Sequence, residues 1–342
     1  MAGENKGLSR RAIRLALWLL PLAALVNIGI FLWSMDGAPV ASIAQRPWLL
    51  LVAAGLSVVP WFTNVLRLVI WCRFLGVPMP LRSNVRITLG TVIANSITPT
   101  ATGGTVIKWG FLVGEGVPKE KASTLITTQI AEDSIVMLGI LAIALFVAFG
   151  FELPSTIRRT IWSNEAIVST QNAMLVMVFL ILFVTLLILF ARRGLFGKRI
   201  GGWTQRAVTA TRNHLAKVRS DWGGILRHGK SVVLASMALG VVQWGARYSV
   251  ATLVIGFAGG VMLPLLYWAL NWLTFTFSTL VPTPGGIGGT EAAFLLLFAP
   301  FVAPDILAPV MAIWRLVMFY VPVAIAAVIF LGLRGRVGAR PE

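Results

Sequence analysis

Six ionisable side chains stand inside otherwise apolar stretches of this sequence: Lys108, Glu132, Asp133, Arg247, Glu291 and Arg315. Charge buried in an apolar setting is costly, so each needs a partner or a task. Guanidinium and ammonium groups suit phosphate, since an Arg fork grips two oxygens and a Lys acts as a point charge. Two Pro/Gly/Thr breaks lie close by. One reads Thr98-Pro99-Thr100-Ala101-Thr102-Gly103-Gly104-Thr105, and the other Val281-Pro282-Thr283-Pro284-Gly285-Gly286-Ile287-Gly288-Gly289-Thr290. Gly-rich turns leave backbone N–H groups open, and helices beginning at Thr105 and Thr290 add positive partial charge. Lys108, Arg247, Arg315, Glu291, Asn95, Thr105, Gly285, Gly286, Gly288, Gly289 and Thr290 are therefore the candidate site, with a phosphate-bearing ligand expected. A second reading makes the charges internal pairs, Arg315 with Glu291 and Arg247 with Glu132 or Asp133. Glu291 is favourable at a helix N-terminus without any ligand, and Lys108 has the alternative of snorkelling to the cytoplasmic interface. The adjacent carboxylates Glu132 and Asp133 titrate together and are candidates for proton coupling.

The elements that must position these residues are apolar. The chain of 342 residues is 57% hydrophobic and 12% charged, with a mean hydropathy of +0.85. Soluble domains are nearer one quarter charged, so the composition places the chain in a membrane. Six stretches reach the roughly 20 apolar residues that a crossing needs: near 15–35, 48–70, 122–150, 166–191, 231–256 and 307–333. The first follows Lys6, Arg10, Arg11 and Arg14; it exceeds a signal-peptide core and reads as a retained helix, despite a small-x-small motif at Ser42-Ile43-Ala44. Regions 85–113 and 263–300 carry the two breaks. Each divides into short helices, ending near Ile97 and restarting at Thr105, or covering about 263–280 and 290–300. Such broken helical hairpins are tolerated at membrane depth where protein or a cavity surrounds them.

Basic residues set the orientation. Loop 192–230 holds Arg192, Arg193, Lys198, Arg199, Arg206, Arg212, Lys217, Arg219, Arg227 and Lys230 against Asp221, and segment 67–86 adds Arg67, Arg73, Arg82 and Arg86. Six spans put this loop and both termini on the cytoplasmic side. The expected fold is thus all-α and polytopic: one integral membrane domain over 1–342, with six full spans and two broken or re-entrant hairpins. Units 48–150 and 231–333 repeat the order span, hairpin, span. With hairpins opening from opposite faces they form an inverted repeat, an arrangement common in secondary transporters.

Several classes are excluded or weak. The net charge of +17 lies between membrane segments rather than on a folded basic face, so no nucleic-acid partner is expected. Cys72 has no second cysteine, and His214 and His228 have no ligand partners, so neither metal nor cofactor is expected. Gly286-Ile287-Gly288 lacks the strand and final glycine of a dinucleotide fingerprint. Trp33, Trp48, Trp61, Trp71, Trp162 and Trp268 fall mostly near span ends and read as an interfacial belt.

The breaks also carry a resemblance. Asn95-Ser96-Ile97-Thr98-Pro99 with Gly103-Gly104 resembles the first signature of the lysylphosphatidylglycerol synthase transmembrane family, flippase-like membrane proteins of bacteria and archaea. Pro282-Thr283-Pro284-Gly285-Gly286-Ile287-Gly288-Gly289-Thr290-Glu291 is similar to the second, more specific one, and Arg315 matches the Arg one helix later. The resemblance spans 10–335, with two departures. Thr105 stands where the family usually has Glu, and Gln129 and Ile130 where it has Glu and Arg ahead of the Asp matched by Asp133. The resemblance implies translocation of a lipid between leaflets of the bacterial cytoplasmic (inner) membrane. Aminoacyl-phospholipids and polyprenyl- or hopanoid-type lipids are the implied cargo. A soluble transferase domain follows the membrane part in bifunctional members; the chain ends soon after Arg336, so no enzyme activity is carried over. Two alternatives stand beside this one: a membrane-embedded transferase acting on a lipid-linked phosphate with Glu132 and Asp133, and a non-catalytic partner docking a soluble lipid-modifying enzyme at loop 192–230.

Overall fold

The computed structural model of the protein describes residues 44–98, 103–150, 229–281, 283 and 285–333, together with Gly29. Every regular element among them is a helix. The first half contributes α1 (Pro47–Phe74), α2 (Leu81–Ile97), α3 (Gly103–Gly114) and α4 (Lys119–Gly150). The second contributes α5 (Lys230–Phe257), α6 (Pro264–Leu280), α7 (Gly289–Phe298), α8 (Pro304–Arg315), a π-helical turn (Leu316–Tyr320) and α9 (Val321–Gly332). The chain divides into two compact units, Met1–Phe151 with Leu234–Glu342, and Glu152–Val233. All site residues below belong to the first.

Among the described residues, four helices are long and apolar enough to cross a membrane: Pro47–Phe74, Lys119–Ile143, Lys230–Phe257 and Pro304–Gly332. They cover the expected spans near 48–70, 122–150, 231–256 and 307–333. The expected spans near 15–35 and 166–191, and the basic loop 192–230, lie outside the described residues. The polarity of the bundle is that of a lipid-facing protein. Leu51, Phe62, Leu66, Leu138, Leu234 and Val328 are exposed, while Arg67, Asn84, Thr128, Glu132, Ser236 and Asn271 are fully buried. In water so many exposed apolar side chains would be a liability.

The starts of α1, α6 and α8 each carry a proline in the first turn, at Pro47, Pro264 and Pro304, where a missing N–H costs nothing. The two breaks then separate short helices. At 17 and 12 residues, α2 and α3 rise about 26 and 18 Å, less than a ~30 Å hydrocarbon core. They lie antiparallel. Asn95 accepts from the Gly104 N–H, Phe111 stands against Gly90, and Arg86 pairs with Glu115 at 2.8 Å. Residue numbers on α2 fall as those on α3 rise. In the second half, Val281 meets Gly289 and Tyr267 packs at a tilt against Phe298 with ring centres 5.5 Å apart, so α6 and α7 form the same kind of hairpin. Thr88, Thr91, Ser96 and Thr98 each donate a hydroxyl to the carbonyl four residues earlier, which keeps polar groups satisfied within α2 itself.

The halves correspond in size and in packing. Helices α1 and α5 both have 28 residues, and α2 and α6 both have 17. Helix α2 packs on α9 of the other half, and α6 packs on α4 of the other half. Each hairpin thus leans on the last span of the opposite half.

Two expectations are corrected here. Arg67, grouped with the cytoplasmic basic segment 67–86, is fully buried. Helix α1 continues to Phe74 because Trp71 and Cys72, both buried, extend its apolar face beyond residue 70. Trp71 is therefore no interfacial residue: its indole donates to Ser236 Oγ at 3.0 Å, whereas Trp48 is 60% exposed.

Candidate functional site

A cavity of about 380 Å³ lies between the hairpins and spans of the first compact unit, within the roughly 300–1,000 Å³ range of small-ligand pockets. Lys108, Arg247, Arg315, Asn95, Thr105, Gly285, Gly286, Thr290 and Asp133 all contribute to its wall. Gly288, Gly289, Glu291 and Glu132 do not contribute to it. Residues from both breaks therefore converge on one space, although nearly two hundred residues separate them in sequence.

The second break is a closed clamp. Gly285, Gly286 and Gly288 have φ of 62°, 66° and 84°, a left-handed conformation that glycine adopts without strain. The Gly286 N–H donates to the Thr283 carbonyl, and the Thr290 N–H to the Gly286 carbonyl. One oxygen of Glu291 caps the Gly288 N–H at 2.7 Å, and its other oxygen accepts from Arg315 Nε at 2.7 Å. Arg315 Nη2 then donates to the Gly285 carbonyl at 2.7 Å, with the guanidinium 4.3 Å from the centre of the Phe319 ring. The anion that the α7 N-terminus favours is supplied by the protein's own carboxylate. Amides expected to be open for a ligand at Gly286, Gly288 and Thr290 are spent in the turn. Arg315 closes the turn from α8, and its pairing with Glu291 is the one that the sequence offers as an alternative to ligand binding.

The first break is held differently. The Asn95 side chain accepts from the Gly104 N–H at 3.0 Å, and a Cβ at position 104 would overlap that amide. Only glycine lets α2 and α3 approach so closely at this point. Lys108 donates to Gln129 Oε1 on α4 and has no carboxylate within 4 Å among the described residues. The Gln129 Nε2 group is buried with no partner.

Glu132 and Asp133 of α4 belong to Arg67. Its Nη2 lies 2.9 Å from Glu132 and its Nη1 2.6 Å from Asp133, with Arg67 and Glu132 fully buried. Ser236 Oγ donates to Glu132 at 2.6 Å and accepts from Arg67 Nε at 3.2 Å. The Trp244 indole donates to Asp133 at 3.3 Å. One network thus ties α1, α4 and α5 together, and an Arg fork is well shaped to serve two acceptors at once. Arg247 has neither Glu132 nor Asp133 as a partner, contrary to the pairing that the sequence left open.

Arg247 lacks a counter-ion altogether among the described residues. No carboxylate comes within 4 Å, and its Nε has no hydrogen-bond partner. Aromatic faces hold it instead: the guanidinium lies 4.7 Å from the Phe275 ring centre and 5.6 Å from that of Trp244. Cation–π contact orients a guanidinium but leaves its donors unspent. Arg67 and Gln129 are the residues whose roles the sequence reading missed. Thr63, Arg67 and Trp71 recur at helical spacing along α1, and that polar stripe inside a span is the signal that marks Arg67 as internal.

The sequence profile of the lysylphosphatidylglycerol synthase TM region matches residues 13–326. A UPF0104 membrane protein of Archaeoglobus fulgidus is 23% identical over 303 residues, covering 84% of this chain and 87% of that relative.

Proposed function

Since this chain belongs to the family of the lysylphosphatidylglycerol synthase TM region, a family of multi-pass membrane proteins, we propose that it moves a phosphate-bearing lipid between membrane leaflets. The headgroup occupies the cavity while the acyl chains stay in the bilayer. The observation that carries this reading is Arg247, a half-buried cation that has no counter-ion among the described residues and lines a 380 Å³ space inside a membrane-crossing bundle. A positive charge of this kind inside a membrane calls for an anion, and Lys108 in the same wall adds a second.

The matched helix lengths and the exchange of hairpins between halves support an inverted repeat of 48–150 and 231–333. In such a fold, alternating access comes from one unit rocking against the other around a fixed site. The proposed setting is a bacterial cytoplasmic membrane with both termini inside. Protein reconstituted into liposomes is expected to speed the leaflet exchange of fluorescent phosphatidylglycerol, and Arg247→Gln to return the rate to that of empty vesicles. Equal rates for wild type and Arg247→Gln would remove Arg247 from the transport site.

A further inference from the structure

The charges in and around the cavity do not cancel. Among the described residues, Arg67, Lys108, Arg247 and Arg315 face Glu132, Asp133 and Glu291, which leaves one positive charge. Arg67 is consumed by two carboxylates and Arg315 by the third. Lys108 and Arg247 remain, and the excess of carboxylate at Arg67 offsets one of them. A site at membrane depth is most stable when its occupant makes the total neutral, because screening by water and salt is weak there.

We infer that the occupant is a monoanionic phosphodiester whose remaining headgroup is uncharged and hydroxyl-bearing, such as phosphoglycerol or a phosphosugar. This rests on the proposed lipid-carrying role of the same cavity. Two unpartnered buried donors, Arg247 Nε and Gln129 Nε2, belong to residues of the cavity wall and suit phosphate oxygens. The uncharged polar wall, which includes Asn64, Thr91, Asn95 and Ser278, is amide and hydroxyl, which matches hydroxyl groups. An ammonium group would have to share the wall's carboxylate with Arg67. The carboxylate in the wall is Asp133, and its Oδ1 already accepts from Arg67 and Trp244. A cationic aminoacylated headgroup would add positive charge to a site that has an excess of it. A zwitterion would leave that excess uncompensated, and a dianionic phosphomonoester would overshoot it.

The test is binding of short-chain lipids to the purified full-length protein, read by tryptophan fluorescence and native mass spectrometry. The probes are dioctanoyl phosphatidylglycerol, phosphatidylethanolamine, phosphatidic acid and lysylphosphatidylglycerol, with soluble glycerophosphoglycerol beside them. Phosphatidylglycerol should bind about tenfold or more tightly than each of the other three lipids. Lys108→Gln, which makes the site neutral, should collapse its preference over phosphatidylethanolamine to within about threefold. Lipids that bind wild type without regard to headgroup charge, or lysylphosphatidylglycerol that binds best, overturn the charge inference and leave lipid carriage standing. Glycerophosphoglycerol binding as tightly as the lipid leaves the charge inference standing and overturns lipid carriage. Binding of none of the five overturns both.

Discussion

Arg67→Met separates a structural network from a mobile proton site. The substitution keeps most of the side-chain volume on α1 but leaves Glu132 and Asp133 facing each other's charge without the guanidinium that lies 2.9 and 2.6 Å away. Breaking a buried ion pair by removing one partner costs about 3–5 kcal/mol. Glu132 is fully buried, so little solvent screening reduces that figure. At ~1.4 kcal/mol per tenfold, the unfolded fraction should rise by between two and three and a half decades. Equilibrium unfolding in mixed detergent and SDS micelles, followed by helical circular dichroism, measures this. The triple variant Arg67→Met, Glu132→Gln, Asp133→Asn removes the stranded charges while Ser236 and Trp244 keep acceptors, so it should recover to within about 1 kcal/mol of wild type. A single variant within about 1 kcal/mol of wild type refutes the reasoning, as does a triple variant no more stable than the single one.

The second break gives two further tests. Glu291→Gln removes the charge that holds Arg315, which is 2% exposed, and leaves one acceptor oxygen for the two donors that Glu291 now serves, Arg315 Nε and the Gly288 N–H; a loss of about 2–4 kcal/mol is expected in the same unfolding assay, and an unchanged midpoint would show that the clamp adds nothing. Gly285→Ala forces a side chain onto φ 62° with its Cβ overlapping the Cζ tip of the Phe319 ring. It should cost about 1–3 kcal/mol, with part of the loss recovered in the double variant with Phe319→Ala.

The fold was readable where apolar length decides the outcome. Prolines and glycines mark the ends of α2, α3, α6 and α7 that face the breaks to within two residues, because a break in a membrane helix leaves a compositional trace. Partner choice among charges was less readable. Arg247 and Arg67 are both arginines inside spans, and only the meeting of α1, α4 and α5 decides which of them pairs with Glu132 and Asp133. Arg67 also stood close to a run of basic residues, Arg73, Arg82 and Arg86, so its burial was masked by neighbours that follow the usual charge rule for short loops. The pairing of Glu291 with Arg315 was open to reading because a helix N-terminus and an arginine one helix later make a short list of partners.

The two breaks are similar phrases put to different uses. Counted from the first residue of each helix, Thr105 of α3 and Glu291 of α7 hold the third position, and Ile130 of α4 and Arg315 of α8 hold the twelfth. The second half places an ion pair at those positions and seals its glycine turn with it. The first half places a hydroxyl and an aliphatic side chain there, and closes its turn with the neutral bond from Gly104 to Asn95. Its cation sits instead at Lys108, held by an amide rather than an acid. A carboxylate at position 105 would bring a counter-ion to the first-half hairpin that carries Lys108. With Thr105 it does not, and among the described residues Lys108 and Arg247 both remain without one. The departure of the first half from the second is therefore what leaves the cavity positively charged. If both halves carried the acid at the third position and Ile130 stayed neutral, the same residues would sum to zero, and the cavity would have no electrostatic reason to select an anion.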